Sequence, residues 1–573
     1  MGLGLVLGLC GCKNGAFDWS FLFRPQSKTA IDSRQYVDPL AQSAAYRDTV
    51  AQYAYLDGLR RLRVRTYGIV AGLGRNGSKQ CPTAIRGQLI QEMYKTRKFA
   101  QRRGQHVSPE RLVDDPDTAV VAVEGEIPAA APAGTRFDLI VRAFPGTQTT
   151  SLQGGWLYPC EVKLFRSKGP AGWIAGRAMG RGAGPIFLNP FGQGGTAATK
   201  TNLREGVIIG GGVSKEDRRI RVILTEPSYP RAISIVERIN ERFGISTNMV
   251  ADAISPAEVR LVVPDAYRHN PKHFLSVVQH LYLPANRPGF LSDRSRELVR
   301  EFATPDAPHV EIALAWEGIG RNILPDVQSF YSDPRPACSF YSAVAGLHLG
   351  DDDAVRILAE HLNNPKSPYR MAAIGVLGSA RYSRRASRPL RRALNDDDPR
   401  YQIAAYEALL HRDDPTIRSY QVADGAFSVD VVSGGSRNLI YAKRSGAARI
   451  VLFGDDITAQ PPLFFALPDD SLIIDAEQGA RRVTLVRKTP FSGVTSPRIE
   501  CGVGIRELLM LVGGNPPRSQ EEPIQGLGVD YGSIVLALSE LCKSRAINAD
   551  FVLEAPGMAM TPSAPSAFVR PES

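Results

Sequence analysis

Three glycines, Gly72, Gly74 and Gly77, spell G-x-G-x-x-G at the end of the strand-like run "RVRTYGIVAGLG". In a dinucleotide site such glycines bring the backbone up to a pyrophosphate, which rests on the free N–H groups of a helix opening inside the motif. Here "RNGSKQCP" intervenes, and Pro82 places the helix start at about residue 83, beyond the loop. The acid expected about 20 positions on, to bond the ribose, would be Glu92, which the pattern puts in mid-helix beside Met93 and Tyr94. No Gly-Lys-Ser/Thr follows, so a P-loop is excluded as well. The glycines are expected instead to allow positive φ and close backbone approach, within the fold or against a neighbouring subunit.

Other residues that could do chemistry give no complete constellation. In "RHNPKHFLSVVQH", His269 and His273 stand four apart, a spacing that metal sites use on helices, with His280 further on. Pro271 interrupts the first pair and neither carboxylate nor cysteine clusters with them, so they read as surface histidines near a turn, with no metal expected. There is no H-E-x-x-H, G-x-S-x-G or P-C-x-x-C. No catalytic residue, no cofactor and no enzymatic activity are expected. Cys81, Cys160, Cys338, Cys501 and Cys542 lack C-x-x-C spacing and read mostly as buried free thiols, one or two disulfides staying open if the chain is exported. The opening "MGLGLVLGLCGCKNG" resembles a bacterial lipoprotein signal over residues 1–12, with Cys12 as the lipidated residue. A buried N-terminal strand or a start codon set too late are the alternatives, because the usual positive n-region is missing. Lys13 after the cysteine, with no aspartate, is compatible with the outer membrane.

A length of 573 residues divides into roughly three or four domains. The net charge of +11, mostly from arginine, favours an acidic partner: nucleic acid, an anionic envelope polymer or an acidic protein. The export-type leader and the lack of aromatic-rich basic motifs argue against nucleic acid. No run of about 18 apolar residues occurs, so membrane contact is expected only through an N-terminal lipid.

The elements that must position these groups read as an α+β protein. Residues 13–60 look like a tether, and 61–290 are mixed α/β, with strands at 118–128 and 135–144. Helices are predicted at 83–103 and at 230–244, the second stopping at Gly244. The first carries Lys95, Arg97, Lys98, Arg102 and Arg103 at its end, which suits the helix dipole and also an anionic partner. From 295 to 415 helical segments recur from Pro308, Pro336, Pro368 and Pro399, with second helices such as "AVRILAEHLNN" between them. This period resembles HEAT repeats, inserted as an all-α segment and offering a surface for a further protein partner. Residues 416–555 turn β-rich before two helices and a last strand, and 556–573 read as a disordered tail.

The loop "YGIVAGLGRNGS" (67–78) is similar to the opening of the flagellar P-ring protein family. "DDPDTAVVAVEGEIPAAAPAGTRFDLIVRAF", "SLQGGWL" (151–157), "GGGV" (210–213) and "PSYPRAISIVERINERFG" resemble later family segments, in the family's order. "LGVDYGSIVLALSELCKSRAINADFVLE" (527–554) resembles its C-terminus. The resemblance implies a non-enzymatic subunit of a homo-oligomeric periplasmic ring around the flagellar rod, beside the L-ring and in contact with peptidoglycan. The inserted helices and the lipoprotein-type leader depart from that pattern, and the alternative is a lipid-anchored repeat scaffold using the same fold in a non-flagellar envelope complex.

Overall fold

The computed structural model describes residues 43–100, 108–167, 173–189, 202–244, 249–268, 270–283, 287–380, 382–435, 437–467, 471–488, 495–516 and 525–554. The expected leader with Cys12, most of the tether, His269, Arg102, Arg103 and the 556–573 tail lie outside them.

The described chain opens with a short helix α1 (Val50–Tyr53) and strand β1 (Ala54–Asp57). Next come β2 (Leu62–Ala71), helices α2 (Thr83–Ala100) and α3 (Pro109–Val113), and β3 (Thr118–Ile127), β4 (Arg136–Ala143), β5 (Trp156–Ser167), β6 (Trp173–Pro185) and β7 (Glu205–Ser214). Strands β2 to β7 close into an antiparallel barrel in the order β2-β3-β4-β7-β6-β5. Alternation drives it: Val121, Val123, Leu139, Val141, Val162 and Ile208 point inward and bury in one cluster. Three glycines admit the largest inner ring: a Cβ at Gly125, Gly180 or Gly212 would lie 2.8, 3.4 or 2.4 Å from Phe137 ring atoms. Outside the barrel, Ile85 and Leu89 of α2 cover Ile69 and Val120.

Strand β8 (Ile220–Leu224), helix α4 (Tyr229–Phe243), β9 (Ala251–Ser255), β10 (Glu258–Leu261) and helix α5 (Pro271–Gln279) build a small α/β unit. Its antiparallel sheet runs β1-β8-β10-β9. Ser228 caps α4 by accepting from Arg231 N–H, and Ala232, Ile235 and Ile239 bury against Val222, Val259 and Leu261. The expected tether is corrected here for residues 43–57. β1 pairs with β8, Val50 N–H donates to the Leu281 carbonyl at 2.9 Å, and Ala44 and Ala45 are buried. Apolar residues at 44, 45, 50 and 54 give the segment a packing face, which its polar composition concealed.

Eight helices follow: α6 (Phe290–Phe302), α7 (His309–Ile319), α8 (Leu324–Gln328), α9 (Pro336–His348), α10 (Ala354–Asn363), α11 (Arg370–Ser379), α12 (Ser387–Ala393) and α13 (Pro399–His411). Prolines stand at or just before the starts of α7, α9, α11 and α13, where their missing N–H costs nothing. α7 packs on α9, α9 on α10 and α11 on α13. Small residues set the spacing; a Cβ at Gly378 would lie 2.8 Å from that of Ala408.

The last unit holds β11 (Ile417–Val422), β12 (Phe427–Val432), β13 (Leu439–Ala442), β14 (Arg449–Phe453), β15 (Leu463–Ala466), β16 (Leu472–Ala476), β17 (Arg482–Arg487) and β18 (Ile499–Gly502). Helices α14 (Ile505–Gly513) and α15 (Tyr531–Lys543) and strand β19 (Asp550–Leu553) complete it. One mixed sheet runs β11-β12-β14-β13-β19, and an antiparallel one runs β15-β16-β17-β18. Leu508, Leu509, Ile534 and Leu538 share their core. This unit returns to the barrel: Asp138 Oδ1 accepts from Gly210 N–H at 2.7 Å and from Gly446 N–H at 2.9 Å, and Phe187 packs on Tyr531.

Overpacking the barrel should be costly. Gly212→Ala is expected to lower unfolding free energy in urea by about 1–3 kcal/mol, and Phe137→Leu in the same chain should restore part of it. An additive double mutant would show that the two side chains do not compete for one space.

Candidate assembly surfaces and a buried histidine–glutamate cluster

The glycine loop is held from inside the chain. Gly72 and Gly74 take positive φ of 83° and 58°, and both N–H groups donate to the Asp117 carboxylate. Gly77 has ordinary φ but no room: a Cβ would sit 2.3 Å from the Pro116 carbonyl oxygen and 2.4 Å from that of Thr118. With two of its amides spent on Asp117, and Leu73 N–H on the Asp117 carbonyl, the loop offers no cradle for a phosphate. α2 begins at Thr83, past the loop. Glu92 lies in that helix, buried, and ion-pairs with Lys163 on β5. Of the basic residues at the end of α2, Lys95 is exposed and approaches Glu92 at 3.8 Å; Arg97 and Lys98 lie on the helix backbone.

Among the described residues, the sheet β1-β8-β10-β9 is covered on one face only. The other presents Tyr55 and a rung of alternating charge, in which Arg221 binds Asp57 and Glu258, and Arg260 binds Asp252 at 2.6 Å. β9 is an edge strand, with Met249, Ile254 and Val262 exposed around it. An uncovered sheet face beside an apolar edge is a surface on which another chain can add or pack.

His273 and His280 are not on the surface. Asn270 caps α5 and Pro271 opens it, so the proline that argues against a helix through His269 starts one that carries His273. His280, at the C-cap, is buried, donating Nδ1–H to the Ser276 carbonyl at 2.7 Å, and burial pushes its pKa down to about 4. His273 Nε2 lies 2.7 Å from Glu317 Oε2 on α7, and its ring stacks on His348 at the end of α9, centroids 4.0 Å apart. Burial pushes the His348 pKa down to about 4, and Glu317 Oε1 is buried with no hydrogen-bond partner. Glu317 and His348 were beyond sequence reasoning, for they lie far along the chain in segments whose pattern speaks only of helix packing.

Two further pairs have nucleophile-like geometry without the electrostatics. Cys338 Sγ is 3.3 Å from His309 Nε2, but burial raises the thiol pKa and lowers that of the imidazole, opposite to an activated thiolate pair. Ser339 Oγ is 3.0 Å from His361 Nε2, whose other nitrogen meets Ser367 Oγ rather than a carboxylate. All five described cysteines are free.

Barrel, open sheet face and internally tied loop together form a unit of packing surfaces. Residues 49–289, which enclose that unit, match the sequence profile of the flagellar P-ring protein family. The flagellar P-ring protein of Aquifex aeolicus is 27% identical over 249 residues, covering 42% of this chain and 62% of the relative. That of Thermotoga maritima is 26% identical over 252 residues, covering 42% and 68%, and that of Geobacter metallireducens 26% over 242 residues, covering 40% and 60%. The chain thus spans about three fifths of the length of the first curated relatives it matches. The likeness expected over about 61–290 coincides with the matched stretch, and the one expected at 527–554 lies outside it.

Between about 4 and the ordinary 6.5, the unfolded chain protonates at His280 while the folded chain does not. Stability is therefore full above pH 6.5 and falls as pH drops toward 4. Urea unfolding should lose on the order of 2 kcal/mol through this residue between pH 7 and pH 5. His280→Gln should narrow the difference; an undiminished gap would place its source elsewhere.

Proposed function

We propose that the chain is a structural, non-enzymatic subunit of a flagellar P-ring, assembling around the distal rod in the periplasm at the peptidoglycan layer. The family match over 49–289 carries this reading, because it encloses the barrel and the α/β unit whole. Closing a ring needs heterologous contacts, one face of a subunit meeting a different face of the next. The open sheet face with Tyr55, the edge strand β9 and the Gly72–Gly77 loop supply surfaces for this role. A lipid on Cys12 would tie the subunit to the outer membrane, and the L-ring would be its neighbour. The HEAT-like helices, outside the matched stretch, would dock a further envelope or basal-body protein.

A second reading is favoured by one observation: the matched stretch stops at residue 289, ahead of the helical and C-terminal units. On it, the chain is a lipid-anchored repeat scaffold that uses the ring-forming fold in a non-flagellar complex. Negative-stain images of basal bodies from a strain lacking this chain separate the two. Loss of the ring at the peptidoglycan level supports the P-ring reading, and an intact ring refutes it.

The end of α2 is proposed as the contact to anionic polymer. Changing Lys95, Arg97, Lys98, Arg102 and Arg103 to Gln should leave the circular dichroism spectrum and melting temperature unchanged while reducing sedimentation with purified peptidoglycan. Undiminished sedimentation would leave these charges as helix-end capping and solubility alone.

A further inference from the structure

The seam between the α/β unit and the helical segment brings three metal-binding side chains together from distant parts of the chain. His273 comes from α5, Glu317 from α7 and His348 from the end of α9, and their nearest ligand atoms all lie within 4.8 Å of one another. We propose that His273, Glu317 and His348 form a binding site for a divalent transition ion, zinc foremost, which staples the α/β unit to the helices.

Donor chemistry supports the choice. Two imidazoles and one carboxylate are a set that zinc accepts, leaving a fourth position for water. Hard cations such as calcium would want more oxygen than one carboxylate supplies. Geometry supports it too. Bonds of about 2.0–2.1 Å at tetrahedral angles put ligand atoms roughly 3.3 Å apart. His273 Nε2 and Glu317 Oε2 are 2.7 Å apart and all three ligand atoms lie within 4.8 Å of one another, so side-chain shifts on the order of 1 Å reach that spacing.

An independent observation is the unsatisfied acid. Glu317 is 2% exposed, one oxygen is hydrogen-bonded to His273, and Oε1 has no partner. A buried carboxylate oxygen without a donor costs free energy that a bound cation would remove. The α7 backbone at the site is held across the seam by α4: Arg242 Nε donates to the Glu317 carbonyl at 2.9 Å and Arg238 Nη2 to the Gly318 carbonyl at 3.0 Å. A set of ligands built on held helices needs little reorganisation to accept an ion.

The full chain, stripped with EDTA and dialysed, should take up one equivalent of zinc in competition with a chromophoric chelator. Its melting temperature should rise with zinc. His348→Ala and Glu317→Gln should each weaken binding by at least about 100-fold, the upper end of the loss from changing an outer-shell partner, and should abolish the rise. Should His348→Ala fail to fold, Glu317→Gln, which keeps the side chain's shape, decides alone. Cobalt should replace zinc with visible bands of tetrahedral intensity and no thiolate charge-transfer band. No stoichiometric uptake by the unmodified chain, equal uptake by folded variants, or a thiolate band assigning the ion to cysteines would each overturn the proposal.

Discussion

The Asp138 carboxylate is the point on which the arrangement of the four units turns. It accepts from the N–H of Gly210, within its own barrel, and from Gly446, 308 residues further along the chain. Burial raises its pKa, a cost that two backbone donors offset in part. Nothing larger than glycine fits the contact, since a Cβ at Gly210 would stand 2.1 Å from the Gly446 carbonyl oxygen. Through it the chain closes a circuit. The barrel adjoins the α/β unit, that unit meets the helices through Arg238 and Arg242, and the helices share a core with Val432, Tyr441 and Phe453 of the last sheet. The last unit then comes back to Asp138. A long excursion adds little closure entropy, so the helices can be interposed at small cost provided their two ends meet the rest at fixed places.

Those ends are fixed by polar contacts set among apolar ones. At the near end, Arg238 is buried and spends its guanidinium on Glu241 and on the Gly318 carbonyl. At the far end, Tyr406 donates to Asp430 at 2.5 Å, and Arg449 binds the same carboxylate at 2.7 Å, inside the shared core. Paired polar contacts of this kind at a seam fix one docking geometry where apolar contact alone would tolerate several.

Much of this architecture was legible from residue pattern. The α2 and α4 helices, the strands at 118–127 and 136–143, and the helices starting near residues 308, 336, 368 and 399 carry their own periodicity and stop signals. The helix start past the glycine loop was legible too: Pro82 sets it at about residue 83, and α2 begins at Thr83. What the pattern could not give is contact between segments remote in sequence. His273, read as a surface residue, is enclosed only because α7 and α9 fold over α5, and no local signal on α5 announces them. Residues 43–57 were hidden for the converse reason: a segment with few apolar positions can still be held when its backbone finds a strand to pair with.

That same segment has a mechanical meaning. Residues 43–48 are gripped by α6, through Glu301 to the Ala44 N–H and Arg294 to Asp48, while residues 54–57 run antiparallel to β8. A pull applied at residue 43 therefore meets the α6 contacts first and reaches the sheet only after they give. Tension entering there is borne first by the α6 contacts, so the edge strand β1 is loaded last.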